Sequence, residues 1–305
     1  MNTRYLSHKE IDFEKWENCV SNSLNGCVYG RTWYLDIVSM NWDGIVKGDY
    51  EAVMPVFRDE EKMVMPFGMT WTGIYSRNGL TEDLCQEFID IIDRKFKYIN
   101  LTFDKYFPGA HRSLGRFSEG TVYQMDTFKG ISTLETQSPA AGVNYNLYSC
   151  RDHISETIQA ITYDDLMGVN KSLSFKSALP LKFLAFRSVY RKYGYYSELI
   201  YRGVTIKGSA LVIFSDNYIF MPFFGVKGNT QETQYGQMLL LTHIVNKYFR
   251  HRPGILVIDD KETGIEPKTL EQLGFKKYTT TTYKVDMISK FTNLFKTNRQ
   301  TQTSK

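Results

Sequence analysis

Two stretches of this chain repeat each other at a fixed distance. Met65-Pro66-Phe67 and Met221-Pro222-Phe223 stand 221 − 65 = 156 residues apart. At that same offset YEAVMPV (50–56) falls on IKGSALV (206–212), the helical pattern at 81–95 overlaps most of the one at 234–249, and INLTFD (99–104) falls on ILVIDD (255–260). From about residue 50 to residue 104 the alignment needs no gap. A period this long is the size of a domain and not of a solenoid repeat. The 305 residues are enough for two ordinary domains, and the chain reads as two similar α/β (α+β) modules.

Hydrophobic periodicity fills in the order of elements. Residues 8–24, opened by Ser7, and 32–40 read as amphipathic helices. WDGIV (42–46), YEAVMPVF (50–57) and KMVMPF (62–67) read as strands separated by KGD and RDEE turns. Thr81 is a natural N-cap for a helix over 81–95, where Leu84, Phe88, Ile91 and Ile92 recur at helical spacing, and YINLTF (98–103) follows as a strand. The second half gives a helix over 179–193 ended by Gly194, strands at 196–201, 205–214 and 217–224, a helix over 234–249 and a strand at 254–259. Between the halves, 116–127 and 142–149 have strand character, 150–161 and 163–173 helical character, and the Gly/Ser/Pro-rich 130–142 reads as a linker. The expected division is a first module over 1–130, connecting helices and linker over 131–177, and a second module over 178–305.

Composition narrows the function classes. Hydrophobic residues make up 42% and charged residues 23%, ordinary for a globular protein, and a net charge of +4 lacks the concentrated basic field of a dedicated nucleic-acid binder. Cys19, Cys27, Cys85 and Cys150 have no C-x-x-C spacing and the five His are scattered, so no metal site is expected. The N-terminal MNTRYLSHKEIDFEKW is charged throughout and no run of about 18 apolar residues occurs, which points to a cytoplasmic protein with no membrane partner. No G-x-S-x-G, P-loop or dinucleotide fingerprint is present. The mixed cation and ring cluster RSVYRKYGYY (187–196) reads as a solvated helix face with a buried Tyr, and a nucleic-acid partner is not expected.

KTLEQLGFKK (268–277) carries the most informative local signal. Leu273 would bury the last turn of a short helix. Gly274 would take the left-handed conformation that a Cβ penalises, and Phe275 would start a strand on the same core. The Thr- and Tyr-rich YTTTTYKV that follows suits a half-exposed sheet. A helix ending in Leu-Gly-Phe before a late strand resembles the GNAT superfamily of acyl-CoA N-acyltransferases. The first half, with WYLDIVSMNWDGIVKGDYEAVMPV, resembles the first module of tandem GNAT proteins related to the Fem-type transferases. The resemblance implies two GNAT-like modules, each a mixed, mainly antiparallel, twisted sheet flanked by helices.

It also implies a chemistry: an acyl group moved from acyl-CoA, as co-substrate, to a small-molecule or peptide amine. The donor's phosphates would meet the region of Val226, Gly228, Gln234 and Gly236, where backbone amides face an anion at a helix start. Of the family's phosphate-loop pattern the stretch Thr233–Met238 keeps Gly236 alone. An acid assisting deprotonation would be Asp259, at the end of the strand before KETG, or Glu198. Many relatives carry a Tyr that protonates the leaving thiolate, but that position is Leu270 here, leaving Tyr278 or Tyr283 as stand-ins. Two alternatives stay open: a member that kept the fold and lost catalysis, serving as a binding or scaffold module, and a Fem-like transferase using aminoacyl-tRNA. The oligomeric state is not legible.

Overall fold

The computed structural model describes residues 2–40, 42–108, 116–127, 145–149, 175–201, 205–215, 217–227, 230–246 and 254–287. The helices expected at 150–161 and 163–173 and the linker at 130–142 lie outside them. The chain forms two compact units: Met1–Gly120 with Thr279–Lys305, and Thr121–Tyr278.

The first unit is built on strands β1 (Thr3–Leu6), β2 (Trp42–Lys47), β3 (Ala52–Asp59), β4 (Lys62–Val64), with the short β5 (Tyr75–Ser76), and β6 (Tyr98–Phe103). β1, β2, β3 and β4 pair antiparallel in that order, and β4 pairs parallel to β6 at Lys62↔Tyr98, Met63↔Ile99 and Val64↔Asn100. Helices α1 (Phe13–Ser21), α2 (Thr32–Val38) and α3 (Glu82–Lys95) belong to this unit. The single helix expected over 8–24 is broken in two. A 3-10 turn at His8–Glu10 is closed by a Ser7–Glu10 capping box, and α1 then starts afresh at Asp12, which accepts from the Glu14 and Lys15 amides at 3.1 Å. The break lets Ile11 turn into the core between them. There Trp16 packs on Trp42 with ring centroids 4.9 Å apart, and its indole N–H donates to the Gly30 carbonyl. A Cβ at Gly44 would stand 2.8 Å from the Trp16 ring, so this indole dictates a glycine in β2.

The second unit repeats the plan. β9 (Gly194–Tyr201), β10 (Thr205–Ser215) and β11 (Tyr218–Val226) pair antiparallel, β8 (Tyr145–Ser149) adds to β9, and β11 pairs parallel to β12 (Ile255–Ile258). Helix α4 (Phe175–Tyr190) precedes β9, α5 (Thr230–Ile244) joins β11 to β12, and α6 (Asp260–Thr263) and α7 (Pro267–Gln272) follow. The sequence repeat is thus a repeat of topology: three antiparallel strands, a helical crossover and a parallel fourth. Tyr218-Ile-Phe-Met-Pro-Phe-Phe-Gly-Val226 is buried throughout, which is why it reads as a continuous apolar run.

The last strand of each unit comes from the other half of the sequence. β7 (Phe117–Asp126) continues past Gly120 into the second unit, where Tyr123–Asp126 pair antiparallel with β12. β13 (Lys276–Asp286) returns to the first, where Thr281–Asp286 pair antiparallel with β6. The route to β13 runs through the Leu-Gly-Phe turn. Gly274 sits at φ +91°, its N–H donates to the Glu271 carbonyl at 3.0 Å, and the Phe275 N–H donates to the Leu270 carbonyl at 3.0 Å. These two bonds make a Schellman motif, with Leu270, Leu273 and Phe275 in the core beside it. The fold is a mixed, mainly antiparallel sheet architecture flanked by helices. Among the described residues no helix is long and apolar enough to cross a membrane.

Candidate functional site

The second unit has an opening in its sheet. β11 and β12 pair at Tyr218↔Ile255, Ile219↔Leu256 and Phe220↔Val257, and the pairing stops there. β11 then continues through Val226 in its ladder with β10. Register across β10 skips from Leu211↔Phe223 to Ile213↔Phe220, so Met221 and Pro222 face one residue, Val212, and form a bulge. A bulge bends its strand, and Pro222 has no amide to offer a ladder. Among the described residues no strand continues the ladder on the β12 side of β11 past Phe220, and α5 begins at Thr230, soon after Val226. The end of this strand and a helix N-terminus stand next to each other in the chain.

The far side of the opening is acidic. β12 ends at Ile258, and Asp259 caps the single turn α6 by accepting from the Lys261 amide at 2.9 Å. Burial pushes the Asp259 carboxyl up, against the amide bonds that hold it down. Glu262 is an exposed residue, yet loss of hydration at its carboxyl, and then the neighbouring Asp259 charge, push that carboxyl up to about 7. The turn is held to α5 by Gln237, whose amide donates to the Gly264 carbonyl at 3.2 Å. Asp260 lies near Tyr123 on β7, whose phenol is pushed up by burial and by the charges of Asp260 and Glu271.

The residues anticipated from sequence fall as follows. Val226 is the last residue of β11. Gly228 lies outside the described residues. α5 starts four residues before Gln234, so Gln234 and the buried Gly236 lie in its second turn, and the amides without intrahelical partners are those of the turn before. Glu198 lies on the transverse row Tyr148–Glu198–Ser209–Gly225, level with the end of β11. Tyr278 is half-buried in β13. Tyr283 belongs to the first unit, where its hydroxyl donates to Asp93 at 2.6 Å and accepts from Arg116 at 3.4 Å. Leu270 is fully buried in the apolar cluster under α5. Among the described residues no three His, Cys, Asp or Glu side chains gather as a metal group.

The matching place in the first unit is filled. Asp104 follows β6 and stands at the repeat position of Asp260, since 104 + 156 = 260. It is 4% exposed and accepts from Asn25 Nδ2 and from the Tyr106 amide, each at 2.9 Å. Burial pushes its carboxyl up to about 6. Asn25 also donates to the Ile74 carbonyl at 3.1 Å, and Phe107 stacks on Phe103 at 4.1 Å, so loop and strand close over the carboxylate. The helix that leads into β6, α3, is already capped by Thr81 and carries Glu82 and Asp83 in its first turn, which repels an anion.

Solved structures share this architecture. A tandem GNAT protein from the clavulanic acid biosynthesis pathway matches with a TM-score of 0.50 and 12% identity, over 93% of this chain and 98% of that one. This chain has the GNAT fold. The C-terminal DUF2156 domain of a candidate lysylphosphatidylglycerol synthetase from Agrobacterium fabrum shares the same GNAT-like architecture with a TM-score of 0.56 and 8% identity, over 92% of this chain and 94% of that one. L-PGS from Bacillus licheniformis matches with a TM-score of 0.52 and 11% identity, over 90% and 92%. No protein-family model and no curated protein matches the sequence. The GNAT fold is thus carried by strand order and by the local turn at Gly274, at identities too low to carry a reaction with them.

Proposed function

We propose that this chain is a cytoplasmic tandem-GNAT N-acyltransferase whose second unit binds acyl-CoA and an amine. The observation that carries the reading is the opening between β11 and β12, with the start of α5 beyond its end. The side of β11 beyond Phe220, where no described strand continues the β12 ladder, offers an extended amide-bearing donor arm a strand-like partner. Amides of the first turn of α5 face the donor's phosphates, Gly228 stands just before that turn in the sequence, and Gln234 and Gly236 support it from the next one. The amine nitrogen attacks the thioester carbonyl, a C–N bond forms, and the C–S bond breaks. The ammonium proton goes to a carboxylate at the mouth, Glu262 coupled to Asp259, and Glu198 on β9 is the second candidate for that role. The departing thiolate takes its proton from Tyr278. The buried free thiols Cys19, Cys27 and Cys85 suit a reducing compartment.

Leu270 favours a second reading. It sits in the core where many relatives carry an acid for the thiolate, and it fits a chain that kept the fold as a binding module without catalysis.

Titration calorimetry of the full chain with acetyl-CoA and CoA tests both. Binding tighter than about 100 µM, roughly −5.5 kcal/mol, is expected. Thr230→Asp places a carboxylate that the helix dipole welcomes but a pyrophosphate does not. About 1–4 kcal/mol of repulsion at about 4 Å corresponds to at least about fivefold weaker binding in a stable protein. If neither CoA nor longer acyl-CoAs bind, the CoA-dependent reading is refuted. Binding of aminoacyl-tRNA would then support the Fem-like transferase, and binding of neither donor would leave the scaffold.

A further inference from the structure

The outer face of α4 is an apolar ridge that faces solvent. Leu179 is 60% exposed, Phe183 57%, Phe186 41% and Tyr190 68%, and at 3.6 residues per turn the four fall within about 60° of arc. The opposite face, Leu181, Leu184, Ala185 and Ser188, is buried. The exposed Tyr190 ring stacks on Phe186 at 5.8 Å and 9°. A contiguous exposed stripe of four large apolar side chains marks a contact surface, where scattered single ones would not.

Charge decides what the ridge meets. From Phe175 to Gly194 the sequence contains Lys176, Lys182, Arg187, Arg191 and Lys192, and no Asp or Glu. On the helical wheel Lys182 flanks the ridge on one side and Arg187 on the other. Aromatic and aliphatic side chains between cations on a long stem are the composition of an interfacial helix, whose rings enter the headgroup boundary while the cations meet anionic lipid. A second copy of the chain would bring the same cations against themselves. Single-stranded RNA would find phosphate partners but a ridge that includes Leu179, and a ring pair already stacked on itself. We infer that the α4 ridge is a docking surface for the anionic face of a phospholipid bilayer. That no described helix can span a membrane does not bear on a contact made in the interfacial plane.

Flotation of the intact chain with vesicles tests this, using phosphatidylcholine alone and phosphatidylcholine with about a third phosphatidylglycerol. Binding to the anionic vesicles, at least about tenfold stronger than to the neutral ones and weakened by salt, is expected. Phe183→Ser with Tyr190→Ser, and separately Lys182→Glu with Arg187→Glu, should each reduce it at least about tenfold. All four side chains face away from the core, so unchanged circular dichroism and an unchanged melting temperature confirm folding. Absence of binding to anionic vesicles overturns the inference, as does binding that both double variants retain. A ridge-dependent dimer in size-exclusion chromatography, or ridge-dependent binding of labelled poly-U without vesicle binding, assigns the surface elsewhere and overturns it too.

Discussion

Replacing Asp104 with Asn tests the filled site of the first unit. The carboxyl binds its proton in the folded chain at about 6, against an ordinary 3.8, because burial disfavours the charged form. Between those values the folded state holds more protons than the unfolded one, so stability falls as pH rises through this window. At 1.36 kcal/mol per pH unit the gap is worth about 3 kcal/mol, fully present above pH 6 and absent below pH 3.8. Asn carries no charge to bury, so it removes that penalty at neutral pH. It also has one carbonyl oxygen where Asp104 uses two, one for Asn25 and one for Tyr106. One of those donors then meets an amide NH2, which costs about 1–3 kcal/mol at every pH. The variant should be close to wild type in stability at pH 7 and clearly weaker at pH 4. Urea unfolding followed by tryptophan fluorescence, which reports on the buried Trp16 and Trp42 of this unit, gives the comparison at each pH. The quantity to read is the change in the wild-type-minus-variant difference, about 3 kcal/mol across the window, because the hydrogen-bond loss cancels from it. A difference that stays constant within about 0.5 kcal/mol would mean that Asp104 titrates as it would in water, and the reasoning would fail.

Gly274→Ala should lose about 1–2 kcal/mol in a thermal melt: φ is +91° there, and since a Cβ would meet no atom within 4 Å the loss is purely conformational. Tyr283→Phe leaves the buried ring in place and removes its hydroxyl from the Asp93–Arg116 ion pair, which persists at 2.7 Å; about 0.5–1.5 kcal/mol of stability should go, with CoA affinity unchanged. If Glu262 accepts the amine proton, acyl-transfer kcat/KM should rise as pH passes through about 7 and Glu262→Gln should remove that limb; a limb that persists in the variant excludes this carboxylate as the base.

What could be read from sequence was local or periodic. Leu273-Gly274-Phe275 announces a Schellman stop because one residue type tolerates φ near +91°, and the signal needs no tertiary context. The 156-residue repeat survives because apolar spacing is retained where identities are lost. The missed features depend on distant partners. Helix α5 begins at Thr230 because polar Thr, Gln and Glu extend a helix that the apolar pattern alone starts at Gln234. Asp104 reads as a turn residue after a strand, and only Asn25, some eighty positions earlier, reveals a buried carboxylate. Tyr283 had the chemistry to protonate a thiolate, but its strand enters the other unit, and no local pattern records strand pairing of that range. The coupled pair Asp259 and Glu262 was within reach, since a residue three positions on returns to the same side of a helical turn.

The exchange of terminal strands makes a claim that sequence order would invert. Truncation after Tyr278 removes the end of the chain and would be expected to harm the second module. Instead it deletes the part of β13 that pairs with β6 in the first unit, together with the buried Tyr283 and Val285. Each of those side chains contributes about 1.5–3 kcal/mol by burial, and six strand pairs go with them, which together approach the whole margin of about 5–15 kcal/mol that holds a domain folded. The second unit keeps Tyr123–Asp126 beside β12, because that strand arrives from the N-terminal side. Amide exchange read by mass spectrometry on the truncated chain should therefore show protection lost in β4 and β6 and retained in β10, β11 and β12. Loss confined to the second unit would mean that the strands do not exchange, and the β13–β6 register described above would be wrong.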